Sequence, residues 1–245
     1  MQGKGPAQSR SLDSGILPLP QLVYPWSMPT SRRKTAAKKT TKIAKATTIT
    51  KLPTAKPLKL RGKGKTLSSK TVFKGNVFSV TRDQVQEPGG VVARRDVIRH
   101  NGSVVILAVD SSTNAADPGI LLIKQWRHAA GQFLLEIPAG RIELGEKLIP
   151  AGKRELIEET GYRAKKWSKH IRYFASPGFL SEAMNVLLAE DLTLGEATPE
   201  DDEKIEIHMT PLSEVLAMIR AGKLLDGKTI TSVLLYEELR RSAKA

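Results

Sequence analysis

The stretch from Gly140 to Gly161 reads Gly-Arg-Ile-Glu-Leu-Gly-Glu-Lys-Leu-Ile-Pro-Ala-Gly-Lys-Arg-Glu-Leu-Ile-Glu-Glu-Thr-Gly, and it decides the fold and the chemistry that the sequence predicts. Apolar residues recur at helical spacing from residue 148 to residue 160, which indicates an amphipathic helix. Gly161 comes directly after, and a glycine in this place ends a helix by adopting a left-handed backbone. The stretch therefore predicts a loop, a helix and a sharp stop.

Three carboxylates share one face of this predicted helix. Glu155, Glu158 and Glu159 stand at positions i, i+3 and i+4, which brings their Cβ atoms within about 5–6 Å of each other. A divalent cation such as Mg²⁺ or Mn²⁺ converts their repulsion into a site of hard oxygen ligands. Mg²⁺ held by a few carboxylates can also contact phosphate oxygens, which indicates phosphoryl chemistry. Taken alone, however, such a triplet is more typical of a solvated helix face that Lys153 or Arg154 neutralises.

The wider spacing resembles a known signature, the Nudix box. Gly140, five residues, Glu146, seven residues and then Arg154–Gly161 match its pattern, which is found in hydrolases that cleave nucleoside diphosphates linked to another group. Two positions depart from the pattern. Tyr162 stands where the family prefers an aliphatic residue, and Gly152 stands where it usually has alanine, which should cost the helix about 1 kcal/mol.

The resemblance implies a role for each matching position. The metal ligands it implies, for Mg²⁺ with Mn²⁺ as a substitute, are the Ala139 carbonyl and the carboxylates of Glu155, Glu158 and Glu159. Of these, Glu158 and Glu159 count among the catalytic residues as well. Arg154 and Glu146 would form an ion pair that orients the helix and its loop. Gly140 would allow a tight turn after a strand, and Gly161 would end the helix.

A second segment narrows the resemblance to the ADP-ribose pyrophosphatase subgroup, also called ADP-sugar hydrolases. Ser176–Glu182 places Pro177 sixteen residues after Gly161, as in that subgroup. Similar stretches are Arg94–Ile98, Gln125–Arg127, Leu135–Gly140 and Gly222–Thr229. The substrate-binding residues that this resemblance implies are Arg95, Arg127, Glu136, Pro177, Gly178 and Glu182. Surface salt bridges are the alternative explanation for the two arginines.

A general base for the attacking water is expected in the acidic segment Glu200–Glu203. By the resemblance, an acid on a loop beyond the proline motif takes this role, and we assign it to Glu203, with Glu200 and Asp201 as alternatives. The segment could instead be only an acidic turn. The four histidines have no metal-ligand spacing and are interpreted as structural: His100, His128, His170 and His208.

Strand and helix signals along the chain predict an α/β (α+β) protein. Strand composition is found near 71–82, where a Gly-Asn turn interrupts it, and further strands are expected near 90–100, 103–109, 119–126, 133–138, 170–175, 184–189 and 204–209. Helices are expected over 148–160, 211–221 and 228–241. The resemblance implies the Nudix fold, a mixed β-sheet sandwiched between helices, with an N-terminal antiparallel sheet element. The predicted domains are a disordered basic tail at 1–65, antiparallel strands at 66–100 that form a dimerisation element, and a Nudix hydrolase domain at 101–245.

The positive charge of the chain is confined to one end. Residues 1–70 contain 16 Lys and Arg against one acid, whereas residues 71–245 contain 23 Lys and Arg against 24 acids. Residues 31–70 are therefore expected either to contact nucleic acid or another polyanion nonspecifically, or to act as a solubilising leader. Residues 1–27 differ in composition from the basic tract after them, so a start of translation at Met28 is a further hypothesis.

Composition excludes several classes of protein. The chain has no cysteine, which excludes disulfide scaffolds, thiolate metal sites and cysteine nucleophiles. No apolar run approaches the roughly 18–20 residues of a membrane span, so no membrane contact is expected. The absence of cysteine is compatible with the reducing cytoplasm, which is the location we expect.

The function that the resemblance implies is Mg²⁺-dependent hydrolysis of the pyrophosphate bond of ADP-ribose or a related nucleoside diphosphate sugar. The products would be AMP and a sugar phosphate. The subgroup also implies a homodimer, in which Phe73 or Phe78 could stack on adenine or simply pack in the core. Two alternatives stay open: a GDP-sugar or ADP-glucose hydrolase on the same scaffold, and a non-catalytic, DNA-associated protein that senses nucleotide sugars.

Overall fold

A computed structural model of the chain describes residues 62–197 and 204–243. In these ranges the strands are β1 Lys65–Lys74, β2 Ser79–Gln86, β3 Val92–Arg99, β4 Ser103–Asp110, β5 Gly119–Arg127, β6 Gln132–Glu136, β7 Ala139–Arg141, β8 Tyr162–Phe174, β9 Ala183–Leu194 and β10 Glu206–Pro211. The helices are α1 Leu148–Thr160, α2 Leu212–Arg220 and α3 Gly227–Ser242. The tail predicted at 1–65 lies almost wholly outside the described residues.

The first three strands form a separate antiparallel sheet in the order β1-β2-β3. The turn between β1 and β2 is closed by a hydrogen bond from the Gly75 amide to the Phe78 carbonyl, 2.9 Å long. A glycine followed by asparagine favours such a turn, and the structure has the interruption of 71–82 at the place where the sequence predicts it. The N-terminal antiparallel sheet element predicted from the sequence is thus confirmed.

The second sheet is mixed and has seven strands, in the order β10-β5-β4-β9-β8, with β6 pairing β5 and β7 pairing β4. β4 runs parallel to β9 and antiparallel to β5. All residues from Val104 to Val109 are at most 1 % exposed. Alternate residues of β4 face α2 and α3 on one side and α1 on the other, so the sheet lies between helices. The continuous apolar run thus forms a strand covered on both faces, as predicted.

The structure differs from the expected strands in several bounds, and most clearly at β8 and β7. β8 begins at Tyr162, eight residues before the predicted strand at 170–175, and pairs with β9 along its whole length. Its first half is rich in lysine and arginine and lies at the edge of the sheet, where only alternate residues need be apolar. β7 was not predicted, because three residues that include Gly140 carry too little pattern to indicate a strand.

Helix α1 is held close to the sheet by one glycine. A Cβ atom added to Gly152 would lie 2.7 Å from Leu187 Cδ1 and 3.1 Å from Trp167 Cζ3. Alanine would therefore gain helix propensity but lose the close approach of α1 to β8 and β9. The departure from the family pattern at this position has a packing reason.

The end of α1 also depends on a glycine. Gly161 has a φ of 71°, and its amide donates a 2.8 Å hydrogen bond to the Ile157 carbonyl, which closes the last turn. A Cβ atom added here would lie 2.7 Å from the Gly195 carbonyl oxygen. Both the left-handed backbone and the neighbouring chain after β9 therefore require glycine at this position.

No helix within 62–197 and 204–243 is both long and apolar enough to cross a membrane.

We expect Gly161→Ala to lower the free energy of unfolding by about 2 kcal/mol or more, because it adds backbone strain and a clash with Gly195. Gly222→Ala is the matched control. Gly222 has a φ of 65° just beyond α2, and an added Cβ there meets no atom within 4 Å. The free energy of unfolding of this control should fall only by the cost of the backbone strain, about 1 kcal/mol. Urea denaturation of both variants checks the difference, and equal losses would contradict the clash.

Candidate active site

A cavity of about 470 Å³ lies where β7, the loop after it and α1 face the turn between β1 and β2. Asn76 and Val77 of that turn form one wall, and His100 and Asn101 lie at the end of β3. Six residues predicted for the site line this cavity: Arg127, Ala139, Gly140, Arg154, Glu155 and Glu158. The structure thus brings the carboxylate face of α1 and one of the two predicted substrate arginines to a common space.

Gly140 is the point at which β7 passes beneath a carboxylate of α1. β7 pairs with β4, with Gly140 opposite Val104. A Cβ atom added to Gly140 would lie 1.9 Å from Glu155 Cδ and 2.0 Å from Glu155 Oε1. Any side chain at this position would occupy the space of the Glu155 carboxylate, so the glycine is required by close approach.

Glu159 is the most deeply placed of the three helix carboxylates. Its residue is 5 % exposed, and its Oε2 accepts a 3.1 Å hydrogen bond from the Ala139 amide. The bond connects α1 to the first residue of β7, whose carbonyl is a predicted metal ligand. This hydrogen bond therefore fixes the position of β7 relative to α1 at the site.

Arg154 is the cation at the centre of the glutamate cluster. Its Nη1 donates to Glu155 Oε1 and to Glu158 Oε2, both at 2.9 Å. Its Nε and Nη2 donate to the two oxygens of Glu146 at 3.2 and 3.1 Å. A further bond of 3.1 Å joins Nη2 to the Arg141 carbonyl. Arg154 therefore makes the predicted ion pair with Glu146 and also neutralises two of the helix carboxylates.

These contacts shift the pKa values of both partners of the ion pair. The hydrogen bond to Glu146 and the nearby carboxylates raise the pKa of Arg154 despite its partial burial. The hydrogen bonds from Arg154 lower the pKa of Glu146. Both groups are therefore ionised at neutral pH, and the loop before α1 is fixed to the helix by a full ion pair.

The donor set has the chemistry of a site for Mg²⁺ or Mn²⁺. Three carboxylates and the Ala139 carbonyl supply only oxygen atoms, which hard divalent cations prefer. Within the described ranges no three acidic or histidine side chains converge closely enough to hold a metal ion. Two of the three glutamates are instead hydrogen-bonded to Arg154. The residues present fit such an ion in donor type, and Arg154 shares two of the same carboxylates.

Arg127 is fixed by a carboxylate that is completely buried. Its Nε and Nη2 donate to the two oxygens of Glu136 at 2.7 and 2.9 Å. Lys228 Nζ donates to Glu136 Oε2 as well. Burial alone would raise the pKa of Glu136, but the bonds from Arg127 and the charge of Lys228 outweigh it and lower that pKa. The Arg127–Glu136 pair is therefore an ionised, bidentate interaction between a fully buried carboxylate and a guanidinium side chain that is 38% exposed.

The remaining predicted substrate residues lie outside the cavity lining. Arg95 is on β3, half exposed and 3.0 Å from Glu87. Glu182 accepts a 2.6 Å hydrogen bond from the Ser103 hydroxyl. Pro177 and Gly178 lie in the turn before β9, which is joined to β3 by a 2.8 Å bond from the Ile98 amide to the Phe179 carbonyl. The roles of these four residues stay predictions.

The predicted general base Glu203 and its alternatives Glu200 and Asp201 lie outside the described residues.

Sequence reasoning did not assign two residues that the structure associates with the site. His100, interpreted as structural, lines the cavity, and its Nδ1 accepts a 3.0 Å hydrogen bond from the Gly102 amide. Lys228 belongs to the similar stretch Gly222–Thr229, and no local pattern connects it with Glu136, which is 92 positions away.

Known proteins are similar to this chain in sequence and in fold. A family model described as the NUDIX domain matches residues 99–230. The chain is 35% identical over 184 residues to the ADP-ribose pyrophosphatase of Bacillus subtilis (strain 168), covering 74% of this chain and 96% of the relative. It is 32% identical over 180 residues to the GDP-mannose pyrophosphatase of Shigella flexneri, covering 67% and 91%. A solved structure of an ADP compounds hydrolase, 22% identical, aligns with a TM-score of 0.62 over 74% of this chain and 96% of that one. That last similarity is one of fold.

We expect Arg154→Met to lower the free energy of unfolding by about 1–2 kcal/mol, because it breaks the bonds to Glu146 and to the helix carboxylates. Lys153→Met removes the same charge one position earlier, where the side chain is exposed. It should change stability by less than about 0.5 kcal/mol. Thermal and urea denaturation of the two variants measure the effect. Similar losses would mean that Arg154 acts only through the net charge of α1.

Proposed function

Because the chain belongs to the NUDIX family, we propose that it hydrolyses the pyrophosphate bond of ADP-ribose or a closely related nucleoside diphosphate sugar. The products are AMP and a sugar phosphate, and the reaction depends on Mg²⁺, with Mn²⁺ as a substitute. One observation carries the proposal: Arg127 and the carboxylates of Glu155 and Glu158 line the same cavity. Such a cavity offers a cation-binding side and a phosphate-binding side to one diphosphate.

In this proposal the two sides have different tasks. A bound divalent cation would offset the charge of the diphosphate and make water a better nucleophile. Glu155, Glu158, Glu159 and the Ala139 carbonyl would hold it. Arg127 binds phosphate oxygens with the guanidinium N–H groups that Glu136 does not use. Arg154 keeps the loop and the helix in place. The proton of the water would pass to a carboxylate, for which Glu203 remains our prediction, with Glu200 and Asp201 as alternatives.

The nature of the sugar nucleotide is the finer part of the proposal. The similarity to an ADP-ribose pyrophosphatase is higher and covers more of both chains than the similarity to a GDP-mannose pyrophosphatase. We therefore rank ADP-ribose first and GDP-sugars or ADP-glucose second. Incubation with Mg²⁺ and a panel of ADP-ribose, ADP-glucose, GDP-mannose and UDP-glucose, followed by chromatography of the products, tests this order. AMP from ADP-ribose is the expected main product, and faster cleavage of GDP-mannose would reverse the ranking.

We expect Glu159→Gln to lower kcat by about two orders of magnitude or more, because it removes a charge from the proposed metal-binding face of α1. The folded structure should persist, since an amide can still accept the hydrogen bond from Ala139. Glu238→Gln, which alters an exposed carboxylate of α3, is the control and should keep wild-type turnover. Steady-state kinetics with ADP-ribose and circular dichroism of both variants are the measurements. Near-normal turnover of Glu159→Gln would refute the metal assignment.

We further propose that the protein is a homodimer that associates through the sheet β1-β2-β3, the element predicted at 66–100. Every residue of β1 is exposed, although the strand contains Leu67, Val72 and Phe73. Phe73 and Phe78 contact each other with ring centroids 5.7 Å apart, yet are 52% and 40% exposed. Core packing within one chain does not account for these rings. Exposed apolar surface of this kind is typical of a protein interface, and a second copy would cover it.

The dimer proposal is tested by sedimentation. Phe73→Ser should shift the protein from dimer to monomer, because it removes the largest apolar side chain of β1. Phe174→Ser is the control, since Phe174 has a similar exposure of 47% but lies on β8, in the other sheet. This control should remain dimeric. A monomeric wild type at micromolar concentration would refute the dimer.

The alternative of a non-catalytic nucleotide-sugar sensor that contacts nucleic acid depends on residues 31–70. Most of this segment lies outside the described residues, so that contact, like the cytoplasmic location, stays a prediction. We prefer the enzyme because all three glutamates of the predicted metal site face the end of β7: Glu155 and Glu158 line the cavity with Ala139, and Glu159 binds its amide. A sensor needs no such carboxylate set.

A further inference from the structure

Glu136, the carboxylate that holds Arg127, also binds a second cation, Lys228. Glu136 is 0% exposed and accepts two hydrogen bonds from Arg127 and one from Lys228. Lys228 is on the first turn of α3, and its side chain is 10% exposed. Its Nζ also lies 3.1 Å from Asp226 Oδ1. Arg127, Glu136, Lys228 and Asp226 thus form a chain of alternating charges that starts at the cavity and ends at the N-terminus of α3.

The number of charges in this chain matters for the cavity. With Lys228 present, the buried carboxylate of Glu136 is shared between two cations. Without Lys228, Arg127 would be the one cation among these four residues in contact with Glu136. The carboxylate of Glu136 would then offset the positive charge of Arg127 more completely. A carboxylate in a dry environment binds a single partner strongly, since the local dielectric constant is low. Less of the guanidinium charge would then be available to a phosphate.

We propose that Lys228 is a positioning residue for the diphosphate. By binding Glu136 on the side away from the cavity, Lys228 fixes the orientation of the Arg127 guanidinium and keeps the charge of Arg127 available to substrate phosphate oxygens. This inference rests on the proposed function for the identity of the ligand. Lys228 does not line the cavity, so it acts through Glu136 and Arg127 rather than by contact with the substrate.

A purely structural role for Lys228 can be separated from this one, because α3 has an independent link to β6. Asp226 caps α3 by accepting hydrogen bonds from the Thr229 amide at 2.9 Å and the Thr229 hydroxyl at 2.6 Å. The Thr229 Oγ1 in turn accepts a 2.8 Å bond from the Ile137 amide, next to Glu136. Thr229 is 0% exposed and carries no charge. Thr229→Val therefore weakens the attachment of α3 and leaves the charges around Arg127 unchanged.

The test compares Lys228→Gln, Lys228→Met and Thr229→Val in the full-length protein. Lys228→Gln removes the charge and keeps an N–H donor on a side chain one atom shorter, and it is the variant to measure if Lys228→Met fails to fold. Calorimetry with Mg²⁺ and the uncleavable α,β-methylene analogue of ADP-ribose gives Kd. Steady-state assays with ADP-ribose give KM and kcat, and thermal denaturation gives Tm.

Both Lys228 variants should weaken Kd and KM by about tenfold, which corresponds to about 1.4 kcal/mol, while kcat changes by less than about threefold. Thr229→Val should lower Tm at least as much and leave Kd and KM within about twofold of wild type. In an Arg127→Met background, Lys228→Gln should change Kd by less than about twofold, because its effect passes through Arg127. A loss of Tm with unchanged Kd and KM in Lys228→Gln, or an undiminished effect without Arg127, overturns the proposal.

The outcomes also separate this inference from the proposed function. If the wild-type protein binds the analogue but cleaves no nucleoside diphosphate sugar, the proposed function fails while the Kd values still test Lys228. If the wild type cleaves ADP-ribose and Lys228→Gln binds the analogue with wild-type Kd, the inference fails alone. A wild type that neither binds nor cleaves overturns both.

Discussion

The concentration of negative charge on one face of α1 is the constraint on which the site depends. Glu155 and Glu158 are compensated by Arg154, which is itself fixed to the preceding loop through Glu146. The Glu155 carboxylate lies against the backbone of β7, where only glycine leaves room for it. The fold thus brings helix, loop and strand together around charges that would repel without a cation. The guanidinium group supplies that compensation within the protein, and a divalent ion would share the same oxygens.

Local sequence patterns predicted the elements whose identity is decided by neighbours in the chain. The helix over 148–160, its stop at Gly161 and the doubly covered strand that begins at Ser103 all follow from periodicity, glycine placement and apolar content. β7 and the first half of β8 could not be predicted in this way, because their existence depends on pairing with β4 and β9. Edge strands and very short strands form because they pair with strands that are distant in the sequence, so the local sequence does not indicate them.

The same distinction applies to the site. The Arg154–Glu146 ion pair follows from the matched motif, since both residues belong to it. That Arg154 also binds Glu155 and Glu158 was visible as an alternative, and the structure shows that the two interpretations hold together. The support of Arg127 could not be derived, because the contact of Glu136 with Lys228 joins segments 92 positions apart. The partners of a buried carboxylate are determined by the tertiary structure, so the spacing of residues within one helix or strand does not predict them.

The parallel pairing of β4 with β9 has a consequence for how the protein is made. Ser103 pairs with Met184, so this contact closes a loop of about 80 residues, and α1 with its glutamates lies inside that loop. Contacts between distant segments form late and slowly during folding. A ribosome must therefore release the chain as far as β9 before the centre of the large sheet can close, and α3 must emerge before Lys228 reaches Glu136. Incomplete nascent chains carry the acidic motif but lack the scaffold that would give it activity.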